Sequence, residues 1–238
     1  MRKNKKGTKV IISIGIVIVL LAIIAIIGLI IYDNMQYNVV AQEIAKINSE
    51  KVVDMEIKSK GKYETLEKSI KEYANEYYSN INSLKELYTL DELKSMLSID
   101  NISKDGPNFD TTKTVISNFV TKQNEIKAKL SEMTSDEYLN NKINEYSLDE
   151  KNAKIYISTL NLKDDSTKII NVIDAYNKYI IDIEKVLNFL KDNQSNWSVK
   201  DGKIMFKKAD LLDNYNSLIT KQKDTQTELK NVLSNNNI

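Results

Sequence analysis

Hydrophobic and polar positions divide the chain into two unequal parts. From residue 10 to residue 31 every side chain is uncharged, and nearly all are Ile, Val, Leu, Ala or Gly, with one Ser. After residue 33, apolar residues instead recur at helical spacing among charged ones. At about 1.5 Å per residue the first stretch makes a helix of roughly 33 Å, the thickness of a bilayer's hydrocarbon core. The pattern therefore predicts a membrane anchor that includes Val10, Leu20, Leu21 and Ile31. Arg2, Lys3, Lys5, Lys6 and Lys9 precede it and Asp33 follows it, so the positive-inside rule orients the short tail to the cytoplasm. Three regions result: a cytoplasmic basic tail over 1–9, a transmembrane signal-anchor helix over 10–32, and an extracytoplasmic domain over 33–238. A cleaved signal peptide is the competing reading, with Val39, Val40 and Ala41 as the cleavage site. The apolar run is longer than a signal h-region of about 7–15 residues, and those small residues lie well past its end. Tyr32 and Tyr37 suit the headgroup layer. Ala22, Ala25 and Gly28 form no small-xxx-small pair, so no dimerising face within the membrane is expected.

Beyond the anchor, wide apolar stripes predict a series of helices packed on one another. The first covers about 34–59 through Tyr37, Val40, Ile44, Ile47, Val52 and Met55, with Gly61 ending it. A second covers 62–88 with Tyr63, Leu66, Ile70, Tyr73, Tyr77, Leu84 and Tyr88. Thr89 with Glu92 reads as a capping box opening a short helix. Residues 98–110 hold the single Pro, Pro107, after Asp105 and Gly106, and read as a long loop. A helix capped by Asp110 or Thr111 runs to about Met133, and shorter ones start at Ser135 and at Ser147, the latter with a capping box to Glu150. The strongest pattern lies over 166–192. There Ile169, Tyr176, Ile183 and Leu190 repeat every seven residues, flanked by Val172, Tyr179 and Val186 and by Ile173, Ile180 and Leu187, as in a helix buried within a bundle. A last helix over 208–234 has Gln222 and Gln226 in mid-stripe, so either the seam is polar there or that end is exposed. Between these two helices Asp201 and Gly202 form the favoured two-residue hairpin turn. It pairs Val199 with Ile204 and Trp197 with Phe206 on one face, which makes a structural cap for the bundle or, less simply, an interaction surface. The fold class is all-α: one transmembrane helix, then an elongated antiparallel bundle of four to six helices with one short β-hairpin near 197–206.

Composition narrows function more than it identifies it. With six Gly and one Pro in 238 residues, and no linker-like segment, one helical ectodomain is expected. The absence of Cys removes disulfides, thiolate metal sites and a cysteine nucleophile, and the absence of His removes the commonest general base and a common metal ligand. The tail's five basic residues leave 29 against 33 acidic ones, so the domain after it is near −4, a poor match to a phosphate backbone. Nucleic acid is not an expected partner. The richness in Lys, Asn and Ile fits an AT-rich bacterial genome.

The sequence contains few candidates for chemistry. Ser59 and Lys62 fit Ser-x-x-Lys, and Tyr78, Ser79 and Asn80 loosely fit the second motif of penicillin-recognising enzymes. The third motif and the sheet that carries it are missing. Asp164 and Asp165 suit a helix start better than a sugar-cleaving pair. The segment 100–106 has Ile and Lys where calcium ligands are required. Of the thirteen tyrosines several recur on helix stripes, Tyr63, Tyr73 and Tyr77 on one and Tyr176 and Tyr179 on another; they are expected in the core, the alternative being a Tyr-lined groove that binds glycan or peptide. No catalytic residue, cofactor or metal is expected. The reading is a non-enzymatic single-pass protein of the bacterial cell envelope, anchored in the lipid bilayer and acting through contacts with a protein partner. The alternative is a ligand-binding or sensory ectodomain that works with a partner membrane protein, since about nine cytoplasmic residues cannot hold a signalling domain.

Overall fold

In a computed structural model of the chain the backbone is described for residues 5–87, 89–160 and 162–236, and side chains from residue 24 onward except 88, 90, 161 and 236–238. Arg2, Lys3 and Tyr88 lie outside the described residues, as do the side chains of Lys5, Lys6, Lys9, Val10, Leu20 and Leu21. The chain is mostly helical, with one two-stranded antiparallel sheet among the described residues. Two compact units divide it. The first comprises residues up to Asn75 together with Lys142–Leu160; the second comprises Glu76–Asn141 and Asn161–Ile238.

The first unit opens with α1, Lys5–Glu50, a single helix of 46 residues and so about 69 Å long. Its first half is the apolar run, and the folded part begins near Asp33. The sequence predicts helix to residue 59, but α1 stops at Glu50, where Lys51 takes a left-handed φ of 55°. Residues 51–60 form a non-helical strap instead, because side chains of the neighbouring helices supply acceptors in place of a helical ladder. The Glu67 carboxylate accepts from the Lys58 and Ser59 amides at 3.1 and 2.7 Å, and Gln36 Oε1 accepts from the Lys60 amide at 2.7 Å. This strap returns along α1, and α2, Lys62–Lys85, then starts beside Asp33. Ten extended residues reach about 33 Å, enough to retrace the roughly 26 Å of α1 between residues 33 and 50.

As a result α1 and α2 run parallel: Lys62 meets Asp33 and Lys71 meets Glu43. The expected antiparallel order therefore fails in this unit, since antiparallel neighbours need short turns and here a long strap intervenes. Helix α7, Glu150–Thr159, lies alongside in the same direction, with Asn152 Nδ2 donating to the Lys62 carbonyl at 3.1 Å and Tyr156 edge-on to Tyr73. Asp149, not Ser147, caps it: the Asn152 amide donates to Asp149 Oδ1 at 2.8 Å, and Ser147 sits in the preceding turn with φ 50°. The core joins Val40, Ile47, Tyr63, Leu66, Ile70, Tyr73, Tyr156 and Leu160, so these tyrosines are interior residues as expected.

The second unit is the antiparallel bundle. It contains the end of α2, the short helices α3 (Leu90–Ser95) and α4 (Ile99–Asp105), α5 (Asp110–Met133), the start of α6 (Asp136–Glu145), and the long pair α8 (Lys163–Asp192) and α9 (Ala209–Asn236). Thr89 and Glu92 form the predicted capping box. The expected loop over 98–110 is mostly α4, because Ser98 accepts the Asn101 amide and starts a helical turn the sequence pattern is too short to reveal. Helix α5 has buried Phe109 at its N-cap, and the cap acceptor is Asp105 from outside, taking the Thr111 and Thr112 amides at 3.2 and 2.7 Å. Ser166 beside Leu130 and Asn177 beside Asn124 show α5 and α8 antiparallel. Helices α8 and α9 are antiparallel too, with Phe189 stacked through Phe206 to Tyr215 at one end and Lys178 paired with Glu228 farther along.

Nine of the ten periodic apolar residues singled out on α8 are buried, and Tyr176 is half-buried. The polar middle of α9 is a matched seam: Gln222 is buried and Gln226 Nε2 donates to the Tyr179 hydroxyl at 3.5 Å. Burial pushes the Tyr179 phenol up to about 12, and the two glutamines oppose that rise. Strands β1 (Trp197–Lys200) and β2 (Lys203–Phe206) pair in the predicted register, Trp197 with Phe206 and Val199 with Ile204. Asp201 and Gly202 turn with φ 49° and 69°. Those four apolar side chains pack on the bundle core, and the Trp197 indole donates to the Leu190 carbonyl at 2.6 Å. All four are half-buried there.

Candidate functional site: the junction of the apolar helix with the first unit

A cluster of polar side chains lies where the apolar run of α1 ends. Asp33 is the first charge after that run, and two helices bring it partners that are remote in sequence. Lys62, at the start of α2, pairs with it at 2.6 Å, and Lys151, in the first turn of α7, approaches at 3.4 Å. The Tyr63 hydroxyl donates to Asp33 Oδ2 at 3.2 Å and accepts from Lys151 Nζ at 2.7 Å. Tyr37 packs on Tyr63 with ring centroids 6.1 Å apart, and Lys151 lies over both rings. Lys62 holds the Asp33 carboxyl below its ordinary range, and Asp33 in turn raises Lys62; Tyr63 and then Asp33 raise Lys151. All these charges remain in their ionised forms at neutral pH.

Beside the cluster is an open cleft of about 500 Å³. One wall is Ile26, Leu29 and Ile30 of α1, and the other is Lys60, Lys62 and Tyr63 at the end of the strap and the start of α2, with Asp33 between. The strap wall is held from behind by a buried ionic network. Lys71, with 1% of its side chain exposed, pairs with Glu67 and Glu43 at 2.7 Å each and donates to the Glu56 carbonyl at 2.5 Å. Lys58 adds pairs to Glu43 and Asp54. Burial pushes the Glu67 and Glu43 carboxyls up, but Lys71 and the strap amides outweigh it for Glu67, and Lys71 and Lys58 for Glu43, leaving both below the ordinary value.

The residues singled out from the sequence lie at other places. Ile31 is 54% exposed on α1, as are its neighbours Ile30 and Leu29 at 55% and 67%, with no protein covering them. Trp197, Val199, Ile204 and Phe206 are gathered on one hairpin face as expected, but that face is turned to the core. The opposite face presents Ser198, Lys200, Lys203 and Met205. Sequence reasoning noticed Asp33 only as a flank of the anchor and missed Lys62 and Lys151, since nothing local marks two residues 29 and 118 positions away as its partners. It also missed Glu67 and Lys71, although a signal was present: an i,i+4 acid–base pair set within the stripe of Tyr63, Leu66, Ile70 and Ala74 is a buried pair written in sequence.

The chain matches no known family, no curated protein and no solved structure. Among the described residues no group of acidic side chains is arranged to hold a metal ion, and one helix, near the N-terminus, is long and apolar enough to cross a membrane.

Proposed function

We propose that this is a single-pass protein of a bacterial cell envelope, with the N-terminus cytoplasmic and both helical units on the outer side, working through contacts with a protein partner. The observation that carries the reading is the uncovered apolar stretch of α1 from Ile24 to Ile31. Ile24, Ile26, Ile27, Leu29, Ile30 and Ile31 each leave half or more of their surface exposed, on the helix that also builds the first unit's core. In water that surface has a cost of about 25 cal/mol per Å², and lipid removes it. The change of character is abrupt, from Ile31 to the Asp33, Lys62 and Lys151 cluster, as at a hydrocarbon–headgroup boundary. The mixed-charge surfaces beyond it favour a protein partner over a nucleic acid.

The test is solubilisation of membranes from cells expressing the tagged full chain, followed by affinity purification. The chain is expected to resist carbonate extraction and to bring one envelope protein with it in near-stoichiometric amount. Release by carbonate contradicts the anchor, and purification without any such partner contradicts the scaffold role. A second reading, a ligand-binding ectodomain that reports to a partner membrane protein, is favoured by the cleft at the junction.

A further inference from the structure

The cleft between α1 and the strap combines two surfaces that are seldom adjacent: an apolar wall of Ile26, Leu29 and Ile30, continuous with the anchor, and a cationic wall of Lys60 and Lys62. The charge there runs against the rest of the molecule. Residues after the basic tail carry 29 basic against 33 acidic side chains, whereas the cleft has two lysines facing one aspartate, and Lys151 also engages that aspartate. Asp33 is thus already neutralised by two partners. The acidic residues at the two helix starts, Glu64, Asp149 and Glu150, do not line the cleft. Lys60 is exposed, and its backbone amide, not its ammonium, makes the hydrogen bond that fixes the strap to Gln36. Its charge contributes nothing to that hydrogen bond.

The geometry points to a binding site for one anionic phospholipid of the outer leaflet, its phosphate between Lys60 and Lys62 and its acyl chain along Ile26, Leu29 and Ile30. This rests on the membrane reading above, which sets residues 26–30 in hydrocarbon and Lys60 and Lys62 at headgroup depth. A zwitterionic lipid fits the same apolar wall but carries no net charge to complement the lysines, and a soluble anion has nothing to place against Ile26 and Leu29. Each lysine near a membrane surface contributes about fivefold to the affinity for anionic lipid.

The experiment uses the full chain in non-ionic detergent with equimolar phosphatidylglycerol and phosphatidylcholine of matched acyl chains, and counts retained lipid by native mass spectrometry. The wild type is expected to keep one phosphatidylglycerol in preference to phosphatidylcholine. Lys60→Gln lowers that preference about fivefold, Lys60→Gln with Lys62→Gln abolishes it, and Lys60→Arg preserves it. Lys122→Gln with Lys168→Gln, the same charge change on exposed helix positions of the second unit, leaves it intact. Lys60→Gln breaks no ion pair and leaves the fold unchanged by circular dichroism, so its result stands even if the double variant misfolds. Equal retention of the two lipids by the wild type, or an unchanged preference in Lys60→Gln, overturns the site. Flotation with vesicles of the same lipids separates the two readings. A wild type that floats but retains the two lipids equally in the mass spectrum overturns the site alone; one that fails to float overturns the anchor and the site together.

Discussion

Lys71 shows how much of the first unit depends on a single side chain. It is as buried as the core leucines, and it is the shared partner of two carboxylates and a strap carbonyl. Replacing it by Met preserves volume but leaves the buried Glu67 without its counter-ion and Glu43 with Lys58 alone. The expected cost is about 3–5 kcal/mol, the usual penalty for breaking a buried pair from one side, read from denaturant or thermal melts of the full chain in micelles. The pH dependence follows from the same group. Glu43 and Glu67 both have folded pKa values below the ordinary 4.5, so their contribution is complete above about pH 4.5 and is lost as the pH falls through the lower folded values. Melting of the wild type followed down through that range is expected to show the loss, and Glu67→Gln is expected to show a smaller one. At residue scale the sequence was legible where a residue's role is local. The Thr89 capping box and the turn at Asp201 and Gly202 need only their neighbours. The Ser147 cap was misplaced by two residues because a turn with positive φ precedes α7, and Asp105 capping α5 from outside leaves no local mark.

At the scale of elements, period carried further than boundary. The heptads of α8 were legible because a helix buried along its length must repeat its apolar residues, and the hairpin's register followed from one turn. The strap was not legible: Val52 and Met55 extend the apolar rhythm of α1, yet the chain is not helical there because Glu67 and Gln36 accept its amides. Three predictions belong to this scale. Gly106 sits under the hairpin, where a Cβ would overlap the Ile102 carbonyl oxygen and press on Trp197 and Phe109. Gly106→Ala is therefore expected to destabilise by about 1–3 kcal/mol in a thermal melt, although alanine is the better helix former. Trp197→Ala removes both the cap's largest side chain and its bond to Leu190, and is expected to cost about 3 kcal/mol. A Met205→Ser change on the hairpin's outer face, by contrast, is expected to stay within about 0.5 kcal/mol, because that side chain is half exposed.

For the whole molecule, one helix joins two kinds of environment. Its apolar stretch from Ile24 to Ile31 is uncovered, its second half contributes to the core, and Asp33 marks the change with a cluster assembled from residues 33, 37, 62, 63 and 151. The long apolar helix was plain in the sequence, since twenty-two uncharged residues in a row need no distant partner to be recognised, and it is long and apolar enough to cross a membrane. The cluster was not, because it exists only once the strap has reversed the chain and α7 has come alongside. The parallel order of α1, α2 and α7 is the part of the fold that sequence periodicity is blind to: a stripe says that a helix packs, not in which direction its neighbour runs.

The chain's lack of cysteine makes its topology directly measurable. Single cysteines at Ser198, on the exposed face of the hairpin, and at Asn4, in the basic tail, can each be reacted with a membrane-impermeant maleimide in intact cells and again after permeabilisation. The account predicts that Ser198→Cys is labelled in intact cells and Asn4→Cys only once the membrane is opened. Labelling of Ser198→Cys only after permeabilisation would contradict it.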